Sequence, residues 1–333
     1  MTDPRRDHGL GVACVLGASV LWGTTGTASA LAPAVTPLAI GAASMGFGGL
    51  LLAATAGRQI VRQRDSLVRS WPLVALGGVA VLVYALAFYT SMRLAGVAVG
   101  TAVSIGGAPI AAALLERIVD GRRLSARWVG GALLGIAGAA VLCLARGAVP
   151  GGAESGAAAP EQTVAGVALG AVAAASYALY SFTSHRIMRA GVTSRAAVGA
   201  TFGVAAVGLL VVLALTGGAF LTSWTHIGVG AYLALVPMFL GYVLFGWGLS
   251  RVSASTATTV SLAEPVVAAV LAVLVVGERL PPAGWAGMAL IVGCLAVLTV
   301  PMPSWMRPRR RAPRDAVTTG TADAAVAVVA PEG

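Results

Sequence analysis

The 333-residue chain has no lysine, only 12 acidic residues, three histidines and three cysteines. Each shortage removes a class of chemistry. Without lysine there is no Gly-x-x-x-x-Gly-Lys phosphate loop, and neither a His-Glu-x-x-His metal motif nor a Gly-x-Ser-x-Gly nucleophile elbow occurs. His8 lies in the N-terminal tail, His185 at the end of the sixth apolar stretch and His226 at the start of the eighth. An intramembrane Ser/His pair therefore has no base at mid-stretch. Cys14, Cys143 and Cys294 fall inside apolar stretches without metal-ligand spacing and read as small hydrophobes. An enzyme is excluded on these grounds, and the residues call for no metal and no cofactor.

What is abundant is apolar surface. Hydrophobic residues make up 58% of the chain, charged residues 10%, and the mean hydropathy is +0.88, too apolar for one soluble domain of this length. A spanning helix needs about 20 mostly apolar residues. Ten such stretches are present, at 10–30, 38–57, 72–92, 97–118, 126–145, 163–185, 196–216, 226–248, 254–276 and 283–300. The fold class expected is an all-α integral membrane protein with ten transmembrane helices.

The chain also repeats itself. Tyr84, Tyr89 and Arg93 recur as Tyr242, Trp247 and Arg251, each pair 158 positions apart, and Trp22 and Gly41 recur at the same offset as Tyr180 and Gly199. With the register slipped by two, Pro109-Ile110 meets Pro265-Val266, and Gly121-Arg-Arg-Leu124 meets Gly277-Glu-Arg-Leu280. Five stretches fall in each half. An odd number forces the second half to enter the membrane from the opposite side, so the repeat is expected to be inverted, the signature of a secondary transporter.

All 22 basic residues are arginine. With the N-terminus inside, 19 of the 22 fall in cytoplasmic segments and only Arg93, Arg146 and Arg279 outside, as the positive-inside rule requires. Both termini are then cytoplasmic, in a bacterial-type plasma membrane. The net charge of +10 thus reports orientation rather than nucleic-acid binding. Arg5 and Arg6 followed by Ala28-Ser29-Ala30 mimic a signal peptide, but removing Trp22 would break the repeat. The expected organisation is a tail over 1–9, a first repeat over 10–145, a flexible external linker over 146–162, a second repeat over 163–300 and a disordered cytoplasmic tail over 301–333. The Arg307–Arg314 cluster in that tail suits anionic lipid headgroups. A small-molecule substrate and a second copy of the chain, as a homodimer, complete the expected partners.

Polar and aromatic residues at depth cost free energy and invite a reason. Trp22, Thr24 and Thr25 cluster in the first stretch, and Tyr84 and Phe88, four apart, share a helix face in the third. Tyr177, Tyr180, Ser181 and Ser184 form one face of the sixth, and the eighth carries Tyr242, Phe245 and Trp247. Two readings stand: a central cavity for a small amphiphilic solute, or an interfacial aromatic belt with hydroxyls bonded to their own helices. The repeat favours the cavity for Trp22, Tyr84, Tyr180 and Tyr242, because matched positions surround the pseudo-two-fold axis.

The fourth stretch holds Ser104, Gly106, Gly107 and Pro109, and the ninth Thr256, Thr258, Thr259, Ser261, Glu264 and Pro265. Paired helix interruptions at matched places point to a binding site, or else to kinks that only aid packing. Glycine pairs such as Gly166/Gly170 read as helix-packing contacts. Glu264 is the only carboxylate near the middle of any stretch, while Glu116 and Asp120 sit at a membrane edge. A charge there costs on the order of 3 kcal/mol. Glu264 therefore either exchanges a proton for substrate or stays protonated, bonding a carbonyl freed by Pro265.

Leu21-Trp22-Gly23, the Gly-x-Arg-Leu turn before Trp128 and before Trp285, and Ala263-Glu264-Pro265 followed by Gly277-Glu278-Arg279-Leu280 resemble the EamA repeat. Two such repeats build the ten-helix drug/metabolite transporter superfamily. The resemblance covers residues 10–300. It departs at Gly121-Arg122-Arg123, where Gly-Glu-Arg is usual, and at Glu116-Arg117, where apolar residues are usual. It implies alternating-access export of amino acids, nucleobases or similar metabolites, with uptake the alternative direction, through a cavity between stretches 1, 3, 4, 6, 8 and 9. The candidate substrate-binding residues are Trp22, Thr25, Tyr84, Phe88, Ser104, Tyr177, Tyr180, Tyr242 and Thr259, with Glu264 for coupling and Pro109 and Pro265 as helix breaks. The rival class is a non-transporting scaffold or receptor, which needs no polar residue at depth.

Overall fold

Each apolar stretch is helical where the computed structural model describes it, over residues 4–29, 31–95, 97–121, 124–147, 160–271, 273–274 and 281–299. The tail with its arginine cluster, most of the linker, Arg122, Arg123 and the Gly277–Leu280 turn lie outside the described residues. The first half contains α1 (Pro4–Gly23), α2 (Thr25–Ser29), α3 (Pro37–Thr55), α4 (Gly57–Arg62), α5 (Arg64–Arg69), α6 (Trp71–Ala95), α7 (Val97–Asp120) and α8 (Ala126–Gly147). The second half contains α9 (Pro160–Arg189), α10 (Ser194–Thr216), α11 (Trp224–Leu233), α12 (Gly241–Leu249), α13 (Ala254–Val260), α14 (Ala263–Leu271) and α15 (Pro282–Thr299). No strand occurs among the described residues. Among the described residues, six helical segments are long and apolar enough to cross a membrane: Arg6–Ser29, Pro37–Thr55, Trp71–Ser91, Val164–Arg189, Ser194–Thr222 and Trp224–Leu249. Ala126–Val141 and Pro282–Val297 are shorter apolar helices.

Local chemistry sets the ends. Thr36, in extended conformation, caps α3 by accepting the Ala39 N–H at 3.2 Å, and Pro37 fills the first helical position, where no N–H is needed. At the other end of a helix, α9 stops in a left-handed turn at Gly191 (φ 91°), with the Gly191 N–H donating to Met188 O at 3.0 Å and the Val192 N–H to Ile187 O at 3.4 Å. Val192 and Ile187 then share one buried apolar cluster.

Large apolar side chains stay on the outside of this bundle, among them Leu215 at 81% exposure and Ile118 at 71%. In water that surface would be an aggregation hazard, whereas lipid tails cover it at no cost. Lipid also removes the hydrophobic drive between helices, so contact relies on close approach of small residues. Gly41 of α3 lies so near the Tyr89 ring of α6 that an added Cβ would sit 2.3 Å from it. Gly166 and Gly170 of α9 similarly admit Ala95 and Val103, which is the packing role expected of that pair. The dominant pairings are α6 with α9, α8 with α15, α3 with α10 and α7 with α9, and every one of them joins the two halves.

The two matched prolines lie in different settings. Pro109 sits inside a continuous α7, whereas the segment expected as one stretch at 254–276 is interrupted at Ser261-Leu262 and restarts as α14. Pro265 therefore occupies a first turn, where its missing N–H costs nothing, rather than a mid-helix kink. Between α11 and α12, Ala234–Leu240 winds as a π-helix containing Pro237. A wider turn gives the proline ring room that an α-helix denies it, and such turns cluster at functional places.

Polar ties join the halves at both ends of the bundle. At one, the Ser91 hydroxyl donates to Gly166 O at 2.7 Å and the Tyr232 hydroxyl to Thr24 Oγ1 at 2.9 Å. At the other, the Ser255 N–H and hydroxyl donate to Glu116 Oε1 and Oε2 at 2.9 and 3.0 Å, Arg186 Nη1 meets Asp120 Oδ1 at 3.1 Å, and Gln63 Oε1 accepts from the Thr193 N–H at 3.1 Å. Glu116 is only 4% exposed. Glu116 stands near an end of α7, as read from sequence, and packing against the start of α13 buries it, with both oxygens bonded to Ser255.

Candidate functional site

Nine aromatic rings from both halves converge on one cluster. Trp22 of α1 lies 4.9 Å from Tyr242 and 5.3 Å from Phe245, both on α12. On α6, Tyr84 stacks on Phe88 at 5.5 Å and meets Tyr177 of α9 at the same distance. Tyr177 reaches Phe245 at 6.0 Å, and Tyr180, one turn further along α9, reaches Tyr242 at 6.1 Å. All four repeat-matched residues, Trp22, Tyr84, Tyr180 and Tyr242, stand in this one cluster. Tyr84 and Phe88 are one helical turn apart, as are Tyr177 and Tyr180, and Tyr242 and Phe245, which is why each pair shares a face.

Three members lie outside the candidate set read from sequence. Phe202 of α10 makes the closest ring pair of the cluster, 4.4 Å from Tyr242, and meets Tyr180 edge-on at 5.2 Å. Tyr89 sits edge-on to Phe88 at 5.3 Å, and Phe245 touches four neighbouring rings. A lone Phe in an apolar stretch gives no periodic signal, so Phe202 is legible only from packing. Trp247, grouped with Tyr242 and Phe245 by sequence, instead faces outward at 51% exposure, with the Arg251 guanidinium 4.5 Å over its ring.

The expected open cavity is filled by these rings. Trp22, Tyr177, Tyr180, Phe202, Tyr242 and Phe245 are all buried against one another. A pocket of about 10 Å³, room for about one water, reaches Tyr242 and Gly246 from beside Leu52, Ser194 and Val198. Tyr84 and Phe88 are only half-buried and form the open edge of the cluster.

The interruption between α13 and α14 adjoins that edge. The Tyr177 hydroxyl donates to Ser261 Oγ at 3.3 Å, and the Ser261 hydroxyl donates to Thr258 O at 2.8 Å, so the broken helix is tied to the ring cluster. Three residues on, the Glu264 N–H donates to Ser261 O at 2.9 Å, while Val266 and Phe88 both pack against the buried cluster that holds Leu262. Glu264 is half-buried and lies within electrostatic reach of Tyr84, Tyr89, Tyr177 and Tyr242. Its carboxylate has no hydrogen bond or ion pair among the described residues.

The hydroxyls divide. Thr259 donates to Ser255 O at 2.7 Å within its own helix, the packing reading rather than the binding one. Ser104 is wholly buried on α7, next to Ile105, which packs with Leu262 at the helix interruption. The Trp22 Nε1, Thr25 Oγ1, Ser104 Oγ, Tyr180 hydroxyl, Ser181 Oγ and Ser184 Oγ are buried without a hydrogen-bond partner among the described residues. Gly241 admits the indole edge, since an added Cβ would fall 2.7 Å from Trp22 Nε1. Unpaired polar atoms at such depth are costly unless a ligand or water takes them up.

Burial separates structural rings from accessible ones, and this can be measured. Phe202→Ala and Phe245→Ala should each cost about 3–5 kcal/mol of stability by opening a cavity, read as a lower Tm in detergent. Tyr84→Ala and Phe88→Ala should cost about half of that or less. Equal losses for the four variants would contradict the division.

Comparison with known proteins places the chain. The sequence profile of the EamA-like transporter family matches twice, over residues 9–144 and 164–300. The chain is 36% identical over 291 residues to the uncharacterized transporter YwfM of Bacillus subtilis (strain 168), covering 86% of this chain and 93% of that one. It is 29% identical over 290 residues to the aromatic amino acid exporter YddG of Ancylobacter novellus, covering 85% and 94%. A solved crystal structure, 26% identical, superposes with a TM-score of 0.67 over 86% of this chain and 95% of the other. The named relatives are transporters rather than enzymes, and the two profile matches fall on the two halves whose apolar helices bring their rings together: the chain belongs to the EamA-like transporter family.

Proposed function

We propose that this transporter exports a small ring-bearing metabolite by alternating access, exchanging it for a proton at Glu264. The observation that carries the reading is the convergence of rings from α1, α6, α9, α10 and α12, drawn from both halves, beside a carboxylate at an interrupted helix. Flat faces bind flat solutes with large apolar contact at little entropic cost. The name of the YddG relative, an aromatic amino acid exporter, supports that substrate class and the outward direction. The binding set is Trp22, Tyr84, Phe88, Tyr177, Tyr180 and Tyr242, with Thr25 and Ser104 as polar contacts. Thr259 is retained only as a neighbour.

The architecture proposed is ten spans, as two inverted five-helix repeats over 10–145 and 163–300, with both termini cytoplasmic and 146–162 external. The inter-half ties at Glu116, Asp120 and Gln63 then close the cytoplasmic end. As the halves rock, those bonds break, while the ties of Ser91 with Gly166 O and of Tyr232 with Thr24 hold the opposite end. Single cysteines introduced at Ser155 and Thr318 test the topology. Membrane-impermeant reagent applied to intact cells should label the first and spare the second, and the reverse pattern overturns the proposed arrangement of spans.

The exchange at Glu264 is tested in proteoliposomes with an imposed pH gradient. Glu264→Gln keeps the size of the side chain but carries no exchangeable charge. It should lose gradient-driven accumulation of radiolabelled phenylalanine while still equilibrating it down its own gradient. A Glu264→Gln protein that accumulates phenylalanine as the unaltered protein does contradicts the exchange.

A further inference from the structure

The carboxylate of Glu264 has no neutralising partner among the described residues. A negative charge in a low-dielectric bundle needs a proton, a cation or several donors. The chain has no lysine, and no described arginine pairs with Glu264. Arg186 pairs with Asp120, Arg251 lies over exposed Trp247, and Arg127 Nε donates to Val297 O at 2.6 Å on the surface. The Ser261 hydroxyl, three residues before Glu264, points its proton at Thr258 O. What Glu264 does have around it is π surface: Tyr84 stacked on Phe88 at the half-buried edge, Tyr177 bonded to Ser261, and Tyr242 within electrostatic reach.

A carboxylate beside half-exposed aromatic faces is complementary to an organic ammonium. The N–H groups donate to the carboxylate oxygens, and the ring faces, negative at their centres, attract the remaining positive charge. The same site repels an anion. Its other polar groups with no partner among the described residues, the Trp22 N–H and the hydroxyls of Thr25 and Tyr180, are neutral donors and bring no positive charge.

We propose that Glu264 is the ammonium-binding residue of this transporter, and that its solutes are protonated amines carried on a small ring. This rests on the ring cluster being the substrate site. The solute then brings the counter-charge that the described residues do not supply. When it leaves, a proton takes its place, so the exchange follows from one carboxylate with two alternative partners.

Binding to the purified full chain in nanodiscs tests the idea, using three probes that share one ring: phenethylamine, 3-phenylpropan-1-ol and 3-phenylpropanoate. The expected order is phenethylamine first, with the alcohol at least about tenfold weaker and the acid weaker still. Glu264→Gln should bring the amine within a fewfold of the alcohol and leave the alcohol unchanged. Glu264→Asp, which keeps the charge, should retain the preference and guards against a misfolded Glu264→Gln protein. Equal binding of amine and alcohol by the unaltered protein, or a preference that survives Glu264→Gln, overturns the ammonium role while leaving the ring site standing. Binding of n-butylamine as tight as phenethylamine would instead spare the ammonium role and remove the ring site. Failure of all probes to bind overturns both.

Discussion

A helix that stops inside a low-dielectric bundle leaves backbone groups that water cannot reach, and the rest of the site follows from where this one stops. The interruption at Ser261-Leu262 separates α13 from α14. Its free groups are taken up locally: the Leu262 N–H donates to Thr259 O at 3.2 Å, and the Glu264 N–H to Ser261 O at 2.9 Å. The Ser261 side chain is then left to join the turn to Tyr177 of α9. With the turn fixed, Glu264 is held at the open edge of the ring cluster. A continuous helix through this point would carry the same residues on a different face.

The rings depend in turn on how closely the backbones approach. Lipid offers no hydrophobic reward for helix association, so the volume between α1, α6, α9, α10 and α12 is set by residues that are nearly absent. Gly41 yields to Tyr89, and Gly241 to the indole of Trp22. The π-helical turn at Ala234–Leu240, immediately before Gly241, precedes the face that carries Tyr242 and Phe245. Sequence, backbone geometry and ring placement are thus one chain of cause. Small residues permit contact, contact buries the rings, and the ring edge left half-buried at Tyr84 and Phe88 is where the proposed solute would meet the protein.

Apolar length alone locates the helices, because a bilayer fixes how long they must be. The matched pairs Trp22/Tyr180 and Tyr84/Tyr242 mark the cluster in the sequence, because duplication preserves what shares an axis. What the sequence hides are properties that exist only across helices. Phe202 has no periodic partner in its own stretch. Glu116 reads as an edge charge because sequence gives height along a helix and says nothing of what packs beside it. Thr259 reads as a ligand contact, yet its hydroxyl satisfies its own backbone. Pro237 has no matched proline in the first half to betray the π-helix, and Pro265 reads as a kink because a proline in a stretch does not reveal that the helix has already ended.

The proposed export of small ring amines is where the readings of the site, the carboxylate and the exchange converge. Untargeted metabolite profiling of cells with and without the gene, with cytoplasm and medium measured separately, tests it most directly. Such export predicts that losing the gene raises ring-bearing amines inside and lowers them outside, while ring-bearing anions of similar size hold steady. Unchanged amines with shifted anions, or no shift in any small solute, would contradict it.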